Sequence, residues 1–362
     1  MAENTLKSGL KMGFGLMRLP QNADGSLSVE QTSIMVDRFL EAGGTYFDTA
    51  FAYPGSEECI KKALIERYPR DRFTLTSKLK AFGDDMSEEV AKSEIYTTLE
   101  RSGAQYLDLY LLHAIQRSNI QNYDQWKLWD YVKELKEKGL IKHWGFSFHA
   151  DPELLEELLV AHPDTEFVQL QINYADWENP GVNSRKNLEI CKAHNIPVLV
   201  MEPVKGGILA DPIPTVKAIF DKEGSDISYA GWAMRFVTSQ ENVFVVLSGS
   251  SSVAQMEDNL KYMKDFVPLN EQEQEVIREA QKALDADQSI PCTGCYYCTK
   301  GCPKDIPIPE IFTVENRKSG SPEFRTKREY TIVTNGRGKA SECLQCGQCE
   351  SVCPQHLEIM SL

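Results

Sequence analysis

Eight short apolar segments alternate with helix-like segments along most of this 362-residue chain. The apolar segments predict strands at residues 12–19, 46–50, 73–79, 107–113, 143–148, 167–173, 198–203 and 243–249. Helical spacing and glycine stops predict helices at residues 30–43, 94–103 and 124–139, and Asp151 followed by Pro152 begins another. Because parallel strands require helical crossovers, this alternation predicts an α/β fold, the (β/α)8 or TIM barrel.

An open doubly wound sheet is the alternative arrangement of alternating strands and helices. Such a sheet usually has a glycine-rich phosphate loop after its first strand, and none follows residues 12–19. A final helix is predicted at residues 270–286, so we assign the barrel to residues 1–287 and a small second domain to residues 288–362. With 42% hydrophobic and 25% charged residues, the composition is that of a globular chain long enough for both.

Eight of the ten cysteines lie in the second domain, in two copies of the pattern CxxCxxCxxxCP. The pattern is similar to that of bacterial two-cluster ferredoxins, in which the fourth cysteine of each copy ligates the other cluster. The resemblance implies a ferredoxin-like domain with one [4Fe-4S] cluster on Cys292, Cys295, Cys298 and Cys353, and another on Cys302, Cys343, Cys346 and Cys349. Zinc sites usually join two CxxC pairs, and disulfide frameworks suit short secreted chains, so both fit the pattern less well.

Charge and hydropathy narrow the possible partners. The formal net charge of −14 disfavours nucleic acid as a general partner. The N-terminal segment lacks the apolar run of a signal peptide, and no stretch approaches the ~18 apolar residues of a membrane span. The sequence therefore predicts a cytoplasmic protein, and a reducing compartment suits free cysteine thiolates.

The segment between the two cysteine motifs is locally basic. Within residues 317–339 the basic residues are Arg317, Lys318, Arg325, Lys327, Arg328, Arg337 and Lys339, against two acidic residues, Glu323 and Glu329. The ordinary interpretation is a solvated surface. The functional alternative is a docking surface for an acidic electron carrier such as a ferredoxin or a flavodoxin.

Four polar residues follow consecutive predicted strands, at the end of the barrel where enzymes of this fold bind substrates. Asp48 ends the second strand, Tyr53 lies on the next loop, Lys78 ends the third strand and His113 ends the fourth. A nearby lysine favours the phenolate and lowers the tyrosine pKa, which would ready the phenol for proton donation. Each residue has an ordinary structural role if taken alone, but together they indicate a site for carbonyl reduction.

The segments TYFDTAFAYPGSEE, LTSK, LYLLH and GFSFH resemble successive landmarks of the aldo/keto reductase superfamily. The resemblance implies a (β/α)8 barrel, NAD(P)H at its mouth, and a catalytic tetrad of Asp48, Tyr53, Lys78 and His113. The tail resembles that of the subgroup with a two-cluster ferredoxin module. His149, which follows GFSF, is a further mouth residue and a candidate for substrate contact.

The same resemblance implies residues that bind the nicotinamide cofactor. They are Gly15, Ser147, Gln169, Met201, Pro203, Ser248, Gly249, Ser250, Gln255, Asp258 and Asn259. Ser147 and Gln169 match the residues that hold the nicotinamide carboxamide. Phe148 replaces the usual asparagine and Met201 replaces the usual ring-stacking tyrosine, so the nicotinamide site is altered.

The phosphate-binding loop departs further from the family pattern. Gly249 and Gln255 stand where the family often has the lysine and arginine that bind the 2′-phosphate. Two missing charge-assisted hydrogen bonds are worth roughly 1.5–3 kcal/mol each, which weakens the preference for NADP over NAD. Either dinucleotide is therefore an expected cofactor.

The predicted function is an oxidoreductase that interconverts a small carbonyl compound and an alcohol with NAD(P)H. A hydride carries two electrons and each cluster passes one, so direct exchange between them is difficult without a converter such as a flavin. The sequence has no flavin motif, and a flavin stays among the cofactors considered. The alternatives are a ferredoxin-fed reductase with a different or no nicotinamide cofactor, and an electron carrier or interaction protein with a non-catalytic barrel. In either enzyme, we expect the tail to pack on the barrel with one cluster toward the mouth.

Overall fold

The computed structural model describes residues 10–83, 86–286, 289–317 and 323–362. Its strands are β1 Met12–Gly15, β2 Tyr46–Asp48, β3 Thr74–Leu79, β4 Leu107–Ile115, β5 Ile141–Phe148, β6 Val168–Gln171, β7 Val198–Met201 and β8 Val243–Ser248. Consecutive strands pair in parallel, and β8 returns to β1 to close the barrel. The predicted (β/α)8 barrel is confirmed, and each of the eight strands overlaps its predicted segment.

Helices surround the barrel and continue into the tail. They are α1 Val29–Glu41, α2 Ser56–Ile60 (continued by a π-helix, Lys61–Ile65), α3 Glu88–Ser102, α4 Ile120–Gln125, α5 Leu128–Glu137, α6 Pro152–Ala161, α7 Ser184–Ala193, α8 Pro214–Lys222, α9 Tyr229–Thr238, α10 Val253–Met263, α11 Glu271–Asp285, α12 Tyr297–Lys300, α13 Ile308–Arg317, α14 Glu323–Val333 and α15 Gln348–Ser351. Single-turn 3-10 helices lie at Arg70–Arg72, Lys205–Gly207 and Ala340–Glu342. Within the described residues, no helix has the length and apolar character needed to cross a membrane.

Local backbone chemistry explains where helices agree with or depart from prediction. Asp151 caps α6 as expected, because its carboxylate accepts a hydrogen bond from the Leu154 amide at 3.0 Å. The helix predicted at 124–139 is two helices, broken at Lys127, whose φ of +52° is left-handed. The helix predicted at 94–103 begins earlier, because Ser87 caps it through the Val90 amide at 3.3 Å.

The fourth strand differs from prediction in a way that shapes the mouth. β4 continues to Ile115 instead of ending at His113, and its pairing with β5 shifts between Leu112 and Ile115. Ala114 in this irregular segment has a φ of +54°, and its amide donates to the Ser147 hydroxyl at 2.7 Å. The resulting bulge re-aims the strand next to His113, as bulges near active sites commonly do.

The barrel interior is filled by large side chains, so it is a packed core and not a channel. Tyr46, Leu109, Leu111, Phe167, Leu199, Phe244, Val245 and Leu247 form this inner cluster. Gly145 is required there, because an added Cβ would lie 2.1 Å from the Phe167 carbonyl oxygen. Polar side chains therefore collect at the strand ends.

The tail has a small apolar core of its own. Ile290, Cys298, Ile306, Ile308 and Phe312 are buried together, with several other cysteines packed against them. The boundary predicted between residues 287 and 288 lies outside the described residues, so the domain division stays a prediction.

Candidate active site and cysteine-lined cavities

Lys78 lies at the centre of a buried hydrogen-bond cluster at the mouth. Its ammonium donates to Asp48 Oδ1 at 2.5 Å and to the Thr49 carbonyl at 2.7 Å. It also donates to the Tyr53 hydroxyl at 3.4 Å. Gln169 donates to the second oxygen of Asp48 at 3.3 Å. Strands β2, β3 and β6 together therefore fix the groups that surround Tyr53.

The electrostatics of Tyr53 differ from expectation. Burial raises the pKa of Tyr53 well above its usual value, and the Asp48 carboxylate raises it further. The expected net lowering of the Tyr53 pKa is wrong, because the loss of water and the Asp48 carboxylate together outweigh the effect of the lysine charge. Tyr53 therefore keeps its proton at neutral pH and is available as an acid.

His113 is buried and uncharged at neutral pH. Burial lowers its pKa well below the usual value, and the nearby charge of Lys78 adds to the effect. Its ring lies edge-on to Tyr53 at 5.8 Å between centroids, and its carbonyl accepts a hydrogen bond from the Tyr123 hydroxyl. Among the described residues, none bonds to its buried Nδ1. The neutral ring therefore has hydrogen-bonding capacity left for a ligand.

A cavity at the mouth brings the predicted site residues together. Asp48, Tyr53 and His113 line it, and Lys78 lies behind them. It is also lined by every residue expected to bind the nicotinamide cofactor: Gly15, Ser147, Gln169, Met201, Pro203, Ser248, Gly249, Ser250, Gln255, Asp258 and Asn259. His149 lines the same cavity. Residues spread over the whole barrel sequence thus line one cavity.

Ser248, Ser250 and Asn259 form a polar network at one part of this cavity. The Asn259 amide donates to the Ser248 hydroxyl at 2.7 Å and to the Ser250 hydroxyl at 3.3 Å. Asn259 Oδ1 is buried and has no partner among the described residues. An unpartnered acceptor suits the amino group of an adenine, so these residues fit a dinucleotide.

Two other predicted cofactor residues already have local partners. The side-chain oxygen Oε1 of Gln255 accepts a hydrogen bond from the Ser251 backbone amide at 2.7 Å, and the Asp258 carboxylate accepts one from the Ser228 hydroxyl at 2.6 Å. An added Cβ at Gly249 would meet no atom within 4 Å, so there is open space beside this residue. The loop therefore provides hydrogen-bonding groups and open space for a ligand, but no cationic side chain at Gly249 or Gln255, the positions where the family often binds the 2′-phosphate.

The tail contributes residues to the mouth that the sequence motifs did not predict. Thr293, Cys295, Tyr297, Pro354 and Gln355 line the cavity together with the barrel residues. This arrangement confirms that the tail packs on the barrel, near its mouth. The cysteine and proline spacing points to clusters and contains no signal for a contact with the barrel.

Gly206 permits the first contact between tail and barrel. An added Cβ would lie 2.5 Å from the Thr293 carbonyl oxygen, and the φ of Gly206 is +65°. The same carbonyl accepts a hydrogen bond from Arg18 at 3.0 Å, and Arg18 also pairs with Glu202 at 3.5 Å. Two adjacent glycines, Gly206 and Gly207, follow β7, and this sequence feature could have indicated a close backbone approach.

A buried polar network makes the second contact. The side-chain amide of Gln355 donates to the side-chain oxygen Oε1 of Gln171 at 3.0 Å, and Gln355 Oε1 accepts from the Lys205 ammonium at 3.1 Å. Lys205 forms an ion pair with Asp176, which also accepts from Gln171 at 2.9 Å. Breaking such a network leaves buried polar groups unsatisfied, which costs about 1–3 kcal/mol for each group. The network therefore holds the segment after Cys353 on the ends of β6 and β7.

The eight motif cysteines fall into two groups in space. Cys292, Cys295, Cys298 and Cys353 line one cavity, which we call the inner cysteine cavity. Cys302, Cys343, Cys346 and Cys349 line another, which we call the outer cysteine cavity. Each group takes three cysteines from one motif and the fourth from the other, which is the grouping that the ferredoxin resemblance implies.

The four cysteines of each cavity fit the ligand set of a four-iron cluster. Among the described residues, no group of three or more Cys, His, Asp or Glu is placed to hold one ion. A four-iron cluster needs four thiolates around a larger volume, and each cavity offers four cysteines among apolar side chains such as Ile308 and Phe312. The cysteine ligands themselves remain a prediction.

Comparison with protein-family models decides the classification. The model for the aldo/keto reductase family matches residues 11–282. The chain belongs to the aldo/keto reductase family. A second model, for a 4Fe-4S dicluster domain, matches residues 291–357. The chain is thus an aldo/keto reductase oxidoreductase with a C-terminal 4Fe-4S domain, as the sequence resemblance predicted.

Individual relatives agree with this classification. An aldo-keto reductase from Mycolicibacterium vanbaalenii is 31% identical over 238 residues, covering 65% of this chain and 79% of that protein. NADPH-dependent codeinone reductase 1-2 from Papaver somniferum is 26% identical over 317 residues, covering 80% and 93%. The structure of a Klebsiella pneumoniae aldo/keto reductase in complex with NADP and acetate superposes with a TM-score of 0.58 at 21% identity, covering 75% and 91%. At that identity the structural likeness supports the fold.

Proposed function

We propose that this aldo/keto reductase reduces a small carbonyl compound to an alcohol with NAD(P)H. The observation that carries the proposal is the placement of Tyr53 in one cavity with His113 and the predicted cofactor residues, above the buried pair of Lys78 and Asp48. When bound, the nicotinamide supplies a hydride. The remaining chemistry is performed by side chains of the barrel.

Tyr53 acts as the proton donor to the carbonyl oxygen. Its raised pKa keeps the phenol protonated until the oxygen gains negative charge, and Lys78 stabilises the phenolate that remains. Neutral His113 donates a hydrogen bond that orients the same oxygen. Asp48 and Gln169 act on the reaction through Lys78, because they fix its position and charge.

The dinucleotide is held by Ser147 and Gln169 at its nicotinamide end and by Asn259 at its adenine end. The Papaver somniferum relative is named NADPH-dependent and the Klebsiella pneumoniae structure contains NADP, which supports the same cofactor here. Gly249 and Gln255 provide no charge for a 2′-phosphate. We therefore propose that both NADPH and NADH serve, with weak discrimination between them.

We further propose that each cysteine cavity holds a [4Fe-4S] cluster, with crossed ligation. When bound, each cluster supplies or accepts one electron at a time. Thr293, Cys295 and Gln355 line both the mouth cavity and the inner cysteine cavity. The two cavities are therefore adjacent, which favours a second candidate function in which a ferredoxin or flavodoxin feeds electrons through the outer and inner clusters to a group bound at the mouth. A flavin at the mouth would suit that candidate.

The outer cavity is the entry point in this second candidate, since Cys343 and Cys346 are exposed. The proposed basic docking surface for an acidic carrier is smaller than its sequence suggests, because Arg337 pairs with Asp305 and Glu310. Lys318 of that surface lies outside the described residues. The cytoplasm remains our proposed compartment, because a reducing compartment suits cysteines that ligate iron-sulfur clusters.

The test separates the two candidates. The protein is purified without oxygen, its iron, sulfide, flavin and nicotinamide are counted per chain, and carbonyl reduction is followed with NADPH, with NADH and with reduced ferredoxin alone. We expect about eight irons and turnover with a nicotinamide dinucleotide. Turnover with reduced ferredoxin alone, together with bound flavin, would replace the first candidate by the second.

A further inference from the structure

Tyr297 belongs to the tail but lines the mouth cavity. It is the first residue of α12 and lies between Cys295 and Cys298 in the sequence. Its ring is 6.3 Å from that of Phe82, which is 5.6 Å from His113, which in turn is 5.8 Å from Tyr53. A continuous row of rings in edge-on contact thus connects the tail to the proposed proton donor.

The row differs in origin from the residues proposed to hold the dinucleotide. The latter are mostly on β5 to β8 and the loops that follow, whereas Phe82 follows β3, His113 is on β4 and Tyr297 is on the tail. The aromatic row begins at the two residues that act on the carbonyl oxygen. At its other end Tyr297 lines the same cavity, with Phe82 packed between it and His113. Tyr297 therefore borders the part of the cavity that the carbonyl substituent would occupy.

The tail holds Tyr297 in a defined position. Thr293, four residues earlier, accepts a hydrogen bond from Arg18 at 3.0 Å and lies against Gly206. Tyr296 adopts a left-handed φ of +62°, which turns the chain into α12 immediately before Tyr297. A ring fixed in this way can select substrates by shape.

We propose that Tyr297 is a specificity-determining residue, supplied to the carbonyl site by the iron-sulfur domain, which favours substrates with a flat aromatic or conjugated substituent. Aromatic rings gain by edge-on or offset contact with one another beyond the burial of their area. A saturated aliphatic substituent makes no such contact. The proposal rests on the proposed function, because it names the substrate class of that same site.

Equilibrium binding and turnover together test the proposal. Isothermal titration of the anaerobically purified holoprotein measures Kd for benzaldehyde and for propanal, and NADPH oxidation gives kcat and KM for both. We expect benzaldehyde to bind more tightly to the wild type. Tyr297→Leu should raise Kd and KM for benzaldehyde by about 2- to 10-fold and should leave both constants nearly unchanged for propanal. The kcat values for both compounds should stay within about twofold of the wild type. Tyr297→Phe retains the ring and should retain the preference.

Controls distinguish specificity from damage to the cluster. Iron content and visible absorbance are measured for each variant, and Tyr296→Leu, between the same cysteines, should leave the ratio of the two Kd values unchanged. If Tyr297→Leu loses iron, Phe82→Leu is measured in its place, because Phe82 is the barrel residue whose ring contacts Tyr297. The same weakening of benzaldehyde binding is expected for that variant. Equal affinities of the wild type for the two probes, or an unchanged ratio in an iron-complete Tyr297→Leu protein, would overturn the proposal. Tight benzaldehyde binding without any turnover would instead count against the proposed function alone.

Discussion

In the barrel, the groups at the mouth come from distant parts of the sequence: Gln169 and Asp48 share a hydrogen bond across 121 residues. In the tail, each cysteine cavity takes three of its four cysteines from a run of seven residues. The tail's chemistry can therefore be inferred from local spacing, whereas the barrel's chemistry depends on knowing which strand ends meet. The two regions join at Thr293, Cys295 and Gln355, and their dependence on each other can be measured.

The largest expected effect is confined to the barrel. Tyr53→Phe removes the proton donor and should lower kcat for carbonyl reduction by about 100- to 10,000-fold, because general acid catalysis contributes that much. NADPH affinity, measured by fluorescence titration, and iron content should match those of the wild type. A Tyr53→Phe enzyme with wild-type turnover would show that the proton comes from another group.

The next effect compares the two cysteine cavities. Cys353→Ser and Cys302→Ser should each lose about half of the iron, the first from the inner cavity and the second from the outer. Only Cys353→Ser should also raise the KM for the carbonyl substrate in NADPH-driven reduction, by up to about tenfold. The reason is that Gln355, two residues later, is hydrogen-bonded to Gln171 and Lys205 at the mouth. Iron analysis and steady-state kinetics check both statements. Equal effects of the two variants on KM would show that the inner cavity has no special influence on the mouth.

Much of this arrangement could be predicted from the sequence, for physical reasons that differ by region. The alternation of apolar and helix-like segments was sufficient to predict the barrel. The predicted site residues Asp48, Tyr53, Lys78 and His113 lie at or just after consecutive strand ends, which predicted that they would lie together. The bulge after His113 was not predictable, because it depends on the partner strand through the Ser147 hydroxyl.

Electrostatic and long-range features were harder to predict than positions. The pKa of Tyr53 rises because burial and the Asp48 carboxylate together outweigh the lysine charge, and burial is not visible in a motif. Tyr297 and Gln355 reach the mouth by packing of one domain on another, and neither shows a periodic pattern. Gly206 came closest to a signal, since two adjacent glycines after a strand indicate that another segment approaches.

A smaller effect probes the contact between the two regions directly. Gly206→Ala should displace Thr293 from the barrel and raise KM for the carbonyl substrate by about 3- to 10-fold, because the tail forms part of the cavity. Gly224→Ala is the matched control: its φ of +66° imposes the same backbone strain, but an added Cβ there meets no atom within 4 Å. Steady-state kinetics on both variants should show the change in Gly206→Ala alone. The same KM in the two variants would mean that the tail does not shape the site.

The smallest expected effect concerns the stability of the barrel alone and is read from its pH dependence. Glu94 on α3 accepts a hydrogen bond from the Lys80 amide at 2.6 Å, its other oxygen is buried without a partner among the described residues, and burial raises its pKa to about 8. Between pH 4.5 and about 8, the folded state therefore keeps a proton on Glu94 that the unfolded state has released. The resulting stabilisation of the folded state is present at low pH and is lost as the pH rises toward 8. Between pH 6 and 9, wild type should lose about 1–3 kcal/mol more stability than Glu94→Gln, which stays neutral. Anaerobic urea unfolding measures both slopes, and Glu89→Gln, on the exposed face of the same helix, should follow the wild type. Parallel slopes for wild type and Glu94→Gln would show that Glu94 is already ionised in the folded barrel at pH 6.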